Sequence, residues 1–457
     1  MGFGLFPNQF PIYTILNIKN LNKFKQQGKN LSFYLLASIF TSLIGVLINP
    51  FMAANLSPDD YAILGYFTSF NLLVTPIINF SLISYYSKNF FRIPDKEKQS
   101  VVDTLLISQL AIGISLMLIV FLSFYIYMKI ASVSFPFYPY AILAFSPLLL
   151  NCFYSLYLVD LRMKREAKKY FKIVMINGLV GALFAVLFVV ILKKGAAGRM
   201  IATLLAVLPF SIFAFSKLFG SWRFEAKIVK SALSFGWPIS LSAILMYFFT
   251  GIDRAFLERL NDSYSLGIYN VAVQLTGYLY IFHSAIKHTL DPDIFQAVAE
   301  KRTKRLRKII IVIVLLNAVP TLIFILLAEP LINILTYGRY TASVPYARVL
   351  ALKNIPMSMC FIISSLNVAY GYAKIELLNR LFGAIVGLIL FKVLIDKFTF
   401  FGAAWGQSIA FSVMAIIGLL FLFQKHYKYK NRLVDEVDGD YHGFQELESK
   451  DKLAELN

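Results

Sequence analysis

The sequence predicts an all-α membrane protein of about 12 transmembrane helices in two six-helix lobes, with both termini on the cytoplasmic side. Three observations carry this. First, 58% of the 457 residues are apolar and only 15% are charged, against roughly 45–50% and about 25% in soluble domains. Second, twelve stretches are long and apolar enough to cross a hydrocarbon core, which takes about 20 residues. Third, the basic residues fall mostly in alternate connections, the signature of loops held at a cytoplasmic surface. A soluble multidomain enzyme, a disordered chain and a secreted disulfide scaffold are excluded.

The first six spans run 31–54, 61–86, 101–126, 137–159, 173–192 and 200–216; the second six run 231–252, 266–286, 309–328, 354–372, 377–395 and 400–423. This divides the chain into an arm (1–30), a first lobe (31–219), a second lobe (220–424) and a tail (425–457) that is basic, then acidic. The arm lacks signal-peptide order, because Lys19, Lys23, Lys25 and Lys29 follow its apolar part. It also lacks the Ser or Thr of a myristoylation site. Cys152 and Cys360 each sit inside a span and read as small hydrophobes, with neither metal nor disulfide implied.

With the N-terminus cytoplasmic, the cytoplasmic segments hold 31 of the 44 basic residues, the opposite side 11 and the far tail two. The densest groups are Arg162, Lys164, Arg165, Lys168, Lys169 and Lys172, and Lys301, Arg302, Lys304, Arg305, Arg307 and Lys308. Topology accounts for them, at ~1 kcal/mol per charge near an anionic leaflet. No interleaved aromatics accompany them, so nucleic acid is not the expected partner.

Leu56-Ser57-Pro58-Asp59-Asp60-Tyr61 opens the second span as a capped helix start: Ser57 at the cap, Pro58 first in the helix, acids against the positive dipole end. A metal role for Asp59 and Asp60 is the weaker reading. Tyr61 and Tyr66 recur 203 residues later as Tyr264 and Tyr269. Six spans separate the copies, which implies two bundles related by an axis along the membrane normal with a pathway between them. Pro76, Pro147, Pro209, Pro238, Pro320 and Pro356 fall inside spans and predict kinks.

A full charge near mid-helix costs ~2.5–3.5 kcal/mol on insertion scales and normally faces a bundle interior or water. Asp103, Asp253, Arg254, Lys287, Lys353, Arg380 and Lys392 are of this kind. Of these, Asp103, Lys353 and Lys392 lie near span ends, where they can snorkel. Glu258, four residues after Arg254, is its expected partner. His283 shares a helix face with Lys287. Asn79, Gln109, Asn151, Asn177, Gln274, Asn317, Asn367 and Gln407 read first as interhelical hydrogen bonds. No HExxH, CxxC, P-loop, GxSxG or kinase motif is present, so no catalytic residue, metal or cofactor is assigned.

Several segments resemble the polysaccharide-transporter branch of the superfamily that also holds multidrug exporters and lipid II flippases. They are Leu56 to Tyr61, Ser234-Phe235-Gly236-Trp237-Pro238, Ile252-Asp253-Arg254-Ala255-Phe256-Leu257, Leu266-Gly267-Ile268-Tyr269, Gly338-Arg339-Tyr340 and Gly402-Ala403-Ala404-Trp405. The resemblance implies two lobes around a central cavity with alternating access. It implies no enzyme, but a multi-pass flippase of the cytoplasmic (inner) cell membrane. The cargo it implies is an undecaprenyl-pyrophosphate-linked oligosaccharide such as an O-antigen, capsule or exopolysaccharide repeat unit. Membrane lipids, a glycan polymerase and glycosyltransferases are the accompanying partners. On this reading Arg254 is the foremost cargo contact, with Lys88, Arg92 and Lys287 near the cytoplasmic mouth and Gln274 and Asn79 as polar contacts. For Lys88 and Arg92, topological anchoring is the stronger competing reading. Asp253 is the candidate for ion coupling. A cation/drug antiporter, a lipid II flippase and a membrane glycan polymerase remain alternatives. The first span carries no charge of its own, which counts against the first two, and the short outer loops count against the third.

Overall fold

The computed structural model describes residues 18–80, 82–370 and 372–454, and every regular element among them is helical. The first half contains α1 (Ile18–Asn55), α2 (Pro58–Ser69), α3 (Asn71–Asn79), α4 (Leu82–Asn89), α5 (Asp95–Ile130), α6 (Tyr140–Met163), α7 (Ala167–Ala185) and α8 (Gly195–Leu218), with a π-helical turn at Val186–Ile191 after α7. The second contains α9 (Ala226–Thr250), α10 (Asp253–Glu258), α11 (Ser263–Ala299), α12 (Thr303–Leu326), α13 (Ala328–Thr336), α14 (Val344–Leu352), α15 (Asn354–Ala369) and α16 (Ala373–Ala454). Of the N-terminal arm, residues 1–17 lie outside the described residues, so the leader and lipidation expectations are not addressed.

Nine stretches of the described residues are long and apolar enough to cross a membrane. One, Ile375–Gln424, is long enough to cross twice and breaks at Thr399, where the backbone leaves helical geometry (φ 50°, ψ −125°). Among the described residues, α1 contributes a shorter apolar stretch, Ile39–Asn55, and α11 is not among the nine. Side chains such as Leu118, Leu122, Leu183, Leu326 and Phe423 are largely exposed and form the lipid-facing surface of a multi-pass membrane protein.

The start of α2 folds as its residues dictate. Ser57 accepts from Asp60 N, Asp60 accepts from Ser57 N, and Pro58 occupies the first helical position. α11 opens the same way, with Asp262 accepting from Ser265 N. Pro76, Pro147, Pro209, Pro238 and Pro320 lie inside helices as expected. Pro356 does not: it falls in the first turn of α15, where its missing N–H is no loss. Asp103 is also not a snorkelling end residue. It is fully buried on α5 and accepts hydrogen bonds from Gly220 N and from Ser221 N and Oγ, which fastens the α8–α9 connection.

The halves interlock. α2 packs along α11, α3 along α9, and one buried cluster joins Met52, Leu56 and Tyr61 to Tyr269, Tyr340 and Phe400. α2 and α11 approach so closely that a Cβ on Gly267 would lie 1.9 Å from the Pro58 carbonyl oxygen.

Candidate functional site

Two helices are interrupted where they face each other. α2 gives way to α3 at Phe70, and α9 gives way to α10 across Gly251-Ile252. The breaks touch: a Cβ on Gly251 would sit 3.0 Å from the Ser69 carbonyl oxygen. Interrupted helices expose backbone and short polar side chains at membrane depth, which is tolerated only where they line a cavity or are buried in protein. Both conditions hold here.

One side of these breaks lines a cavity of about 540 Å³ between α2, α3, α6, α8 and α11. Arg254 from α10 and Arg199 from α8 enter it, with Thr68, Asn71, Thr203, Thr250, Asn270 and Gln274. None of the lining residues is acidic. Arg254 is 6% exposed; its Nη1 donates to Asp253 Oδ1 at 2.9 Å and to the Thr250 carbonyl, while its Nε has no partner. Asn71 Oδ1 and Asn270 Nδ2 are likewise buried and unpartnered. Among the described residues no carboxylate pairs with Arg199. The wall therefore presents positive charge and free polar atoms in a region of low dielectric, where an anion gains most.

Behind Arg254 lies a buried network. Asp253 Oδ2 accepts from Tyr269 Oη at 2.6 Å and from Gln407 Nε2 at 2.7 Å, and Gln407 Oε1 accepts from Lys353 Nζ at 2.6 Å. Asp253 is thus a hub joining α10, α11 and α16, with both oxygens occupied, and Arg254 extends the network to α9 through Thr250. Two expectations are corrected. Lys353 does not snorkel but joins this network. Glu258 is not the partner of Arg254: its Oε1 accepts from Ser134 N and Oγ at 2.7 and 2.6 Å, which ties the α5–α6 connection to α10.

The remaining predicted residues fall in three places. Gln274 lines the cavity and donates to Asn49 Oδ1 at 2.7 Å, bridging α11 to α1. Lys287 does not line that cavity but a small pocket between α11, α12 and α15, paired with Asp291 at 2.5 Å. His283 shares that pocket with both ring nitrogens unpartnered. Lys88 and Arg92 are exposed at and beyond the end of α4, Lys88 over the Phe235 ring at 4.1 Å, and neither lines the cavity. Asn79 ends α3 with an unpartnered Oδ1, also off the cavity lining. Arg199 was absent from the expected set: it follows Lys193 and Lys194 closely, and nothing in the sequence separates it from those loop cations.

Five of the six segments from which the resemblance was drawn meet in one buried cluster, which includes Leu56, Leu257, Tyr269, Tyr340 and Ala403, whereas residues 234–238 lie apart near the start of α9. Asp60 Oδ1 accepts from Ala196 N at 2.7 Å, and Asp59 Oδ1 accepts from Ser263 Oγ at 2.5 Å. Arg339 donates to the Ala53 and Ala54 carbonyls that end α1, and Tyr340 Oη donates to the Leu56 carbonyl at 2.7 Å. Apart from the Asp60–Ala196 bond, which stays within the first half, these contacts form a clasp between the two halves.

A family model described as polysaccharide biosynthesis protein matches residues 27–298, more than half of the chain. The chain belongs to this family. A second model, MatE, matches residues 238–392 of this family member. "Lsg locus putative protein 1" of Haemophilus influenzae is 23% identical over 360 residues, covering 76% of this chain and 85% of that protein. Among solved structures, an inward-facing multidrug resistance MATE family transporter of the MOP superfamily aligns with TM-score 0.65 at 14% identity, over 88% of this chain and 98% of that one. The lipid II flippase MurJ in an inward closed conformation aligns with TM-score 0.64 at 14% identity, over 86% and 87%. This polysaccharide biosynthesis family member is therefore a multi-pass membrane protein that shares its fold with these two structures.

Proposed function

We propose that the protein is a flippase carrying an isoprenoid-pyrophosphate-linked oligosaccharide across the cytoplasmic membrane by alternating access. One observation carries the reading: the cavity contains Arg199 and Arg254 and no acid. A pyrophosphate between the sugars and the lipid chain needs charge compensation wherever water is excluded, and guanidinium groups give it with paired hydrogen bonds. A cationic drug would meet repulsion in the same space, which disfavours an antiporter. A lipid II flippase handles a cargo of the same linkage and stays as a second reading on that chemistry.

In this proposal the chain spans twelve times: the nine apolar stretches, with Ile375–Gln424 counted twice, together with α1 and α11. Residues 31–219 and 220–424 are the two lobes, both termini are cytoplasmic, and the clasp closes the outer end. Glycosyltransferases and a glycan polymerase supply and consume the cargo.

The test is reconstitution of the full chain in vesicles containing an undecaprenyl-pyrophosphate oligosaccharide. Sugars accessible to an external lectin or glycosidase should increase with time, and Arg199→Ala should slow that increase about tenfold while leaving protein abundance unchanged. Vesicles that never expose the lipid-linked glycan would overturn the flippase, and exposure of lipid II alone would select the second reading.

A further inference from the structure

The other side of the helix breaks lines a second space. An apolar groove of about 460 Å³ runs between α3, α5, α9 and α10, walled by Leu73, Ile77, Phe124, Phe248 and Phe256. It opens toward lipid at Ile119 and Ser123, which are exposed. Its one charged lining residue is Arg259, exposed at the end of α10, with its guanidinium 5.7 Å from the Phe256 ring centre. Among the described residues no carboxylate pairs with Arg259.

Groove and cavity stand back to back. Along α2 and α3, Ser69 and Leu72 face the cavity while their neighbours Phe70 and Leu73 face the groove. Across α9 and α10, Thr250 and Arg254 face the cavity while Tyr247 and Ile252 face the groove. The partition is one side chain thick at the breaks, where the Phe70 and Tyr247 rings lie 5.5 Å apart at 34°.

We infer that this groove holds the isoprenoid chain of the cargo while its pyrophosphate and sugars occupy the arginine-lined cavity, with the Phe70–Tyr247 pair as the partition between them. This deepens the proposed function and rests on it. Each CH₂ moved from an apolar surface into a polar, wet space loses ~0.8 kcal/mol, so a long chain stays out of the cavity. A cargo with a polar head and an apolar tail therefore needs two adjoining compartments, with a seam through which the linkage passes. Two helix breaks in contact supply that seam, because interrupted helices can hinge there. Arg259, just past the end of α10 whose Arg254 enters the cavity, supplies charge complementarity on the groove side of the linkage. The groove extends along α5 from Tyr127 to Ile119, about 12 Å of helix, so it reaches well into the hydrocarbon core.

The experiment uses the full chain in nanodiscs with a polyprenyl monophosphate carrying a diazirine near the chain's far end, and maps the crosslinks by mass spectrometry. Labels are expected on α3, α5 and α9 around the groove. Ser123→Trp, which fills the groove's open edge, should lower labelling at least fivefold. Leu118→Trp, on the opposite face of α5, should leave it unchanged. If Ser123→Trp fails to accumulate, Ile119→Trp takes its place. Labels spread evenly over lipid-facing helices, or concentrated between α1 and α11, would overturn the inference. So would excess phosphatidylglycerol that removes the label as well as unlabelled polyprenyl phosphate does, since the groove would then be an ordinary lipid site. The readout is independent of transport: groove labelling in a protein that exposes no lipid-linked glycan sinks the flippase and leaves the groove standing, and transport with labels elsewhere does the reverse.

Discussion

The clasp and the cavity are built from the same residue types and use them in opposite ways. At the clasp, Asp59, Asp60, Glu258 and Arg339 each meet a hydrogen-bond partner from a distant segment. In the cavity a few helical turns away, Arg199 has no acid and Arg254 keeps a free Nε beside unpartnered amides of Asn71 and Asn270. Buried polar groups are ordinarily satisfied, because leaving one bare costs about 1–3 kcal/mol. The contrast separates charges that join distant segments of the chain from unpartnered ones that the proposed cargo would engage.

The largest effect is expected at Arg254, which lines the cavity and is also partnered by the buried Asp253. Arg254→Ala removes a cavity cation and also leaves Asp253 buried with Tyr269 and Gln407 alone. Breaking a buried pair in this way costs roughly 3–5 kcal/mol. Thermal unfolding in detergent should fall together with anion binding. Asp253→Asn/Arg254→Gln, which removes both charges, should recover most of the stability and none of the binding. Stability that does not recover would mean that the Asp253 network matters for its shape and not its charge.

Gly267→Val comes next and acts on the clasp alone. Its side chain would overlap the Pro58 carbonyl, and overpacking of this kind costs about 1–3 kcal/mol. Lower thermal stability is expected, with α2 and α11 further apart by spin-label distance and anion affinity of the folded fraction retained. Arg199→Ala is the mirror image. With no acid left stranded, stability should hold, while affinity for inorganic pyrophosphate falls by about 2 kcal/mol, or roughly thirtyfold. Arg199→Lys should retain part of it. Equal pyrophosphate binding by wild type and Arg199→Ala would remove this arginine from the site.

What the sequence made legible follows the same division. The clasp could be read because its parts are local: Ser57, Pro58 and Asp60 declare a capped helix start whatever surrounds them. Gly267 and Gly402 also stand where motifs suggested; a Cβ at either would lie 1.9 Å from a carbonyl oxygen, of Pro58 and Leu394 respectively. The cavity was legible only through Arg254 and Gln274. Arg199 follows Lys193 and Lys194 closely and reads as one more loop cation, because its facing depends on how α8 is rotated against α2 and α6. Lys287 reads as a free cation until the fold sets it beside Asp291 in a small pocket between α11, α12 and α15. The i to i+4 rule pointed Arg254 to Glu258, but Ser134, 124 residues away in sequence, has taken that carboxylate.

The smallest effect is the most informative about motion. Asp59 and Ser263 join the two halves at the rim of the clasp, where water competes, so the bond contributes only about 0.5–1 kcal/mol. Asp59→Ala should therefore leave folding intact and act on the balance between closed and open clasp. A change of 0.7 kcal/mol is about a threefold shift in that equilibrium. Spin labels on the exposed Tyr264 position and on Asn55, read by pulsed dipolar spectroscopy, should show the longer-distance population growing by about that factor. Asp60→Ala should instead lower stability, since Asp60 also completes the α2 cap and holds Ala196. If Asp59→Ala leaves the distance distribution unchanged, the clasp is a fixed joint, and the two halves must open along another seam.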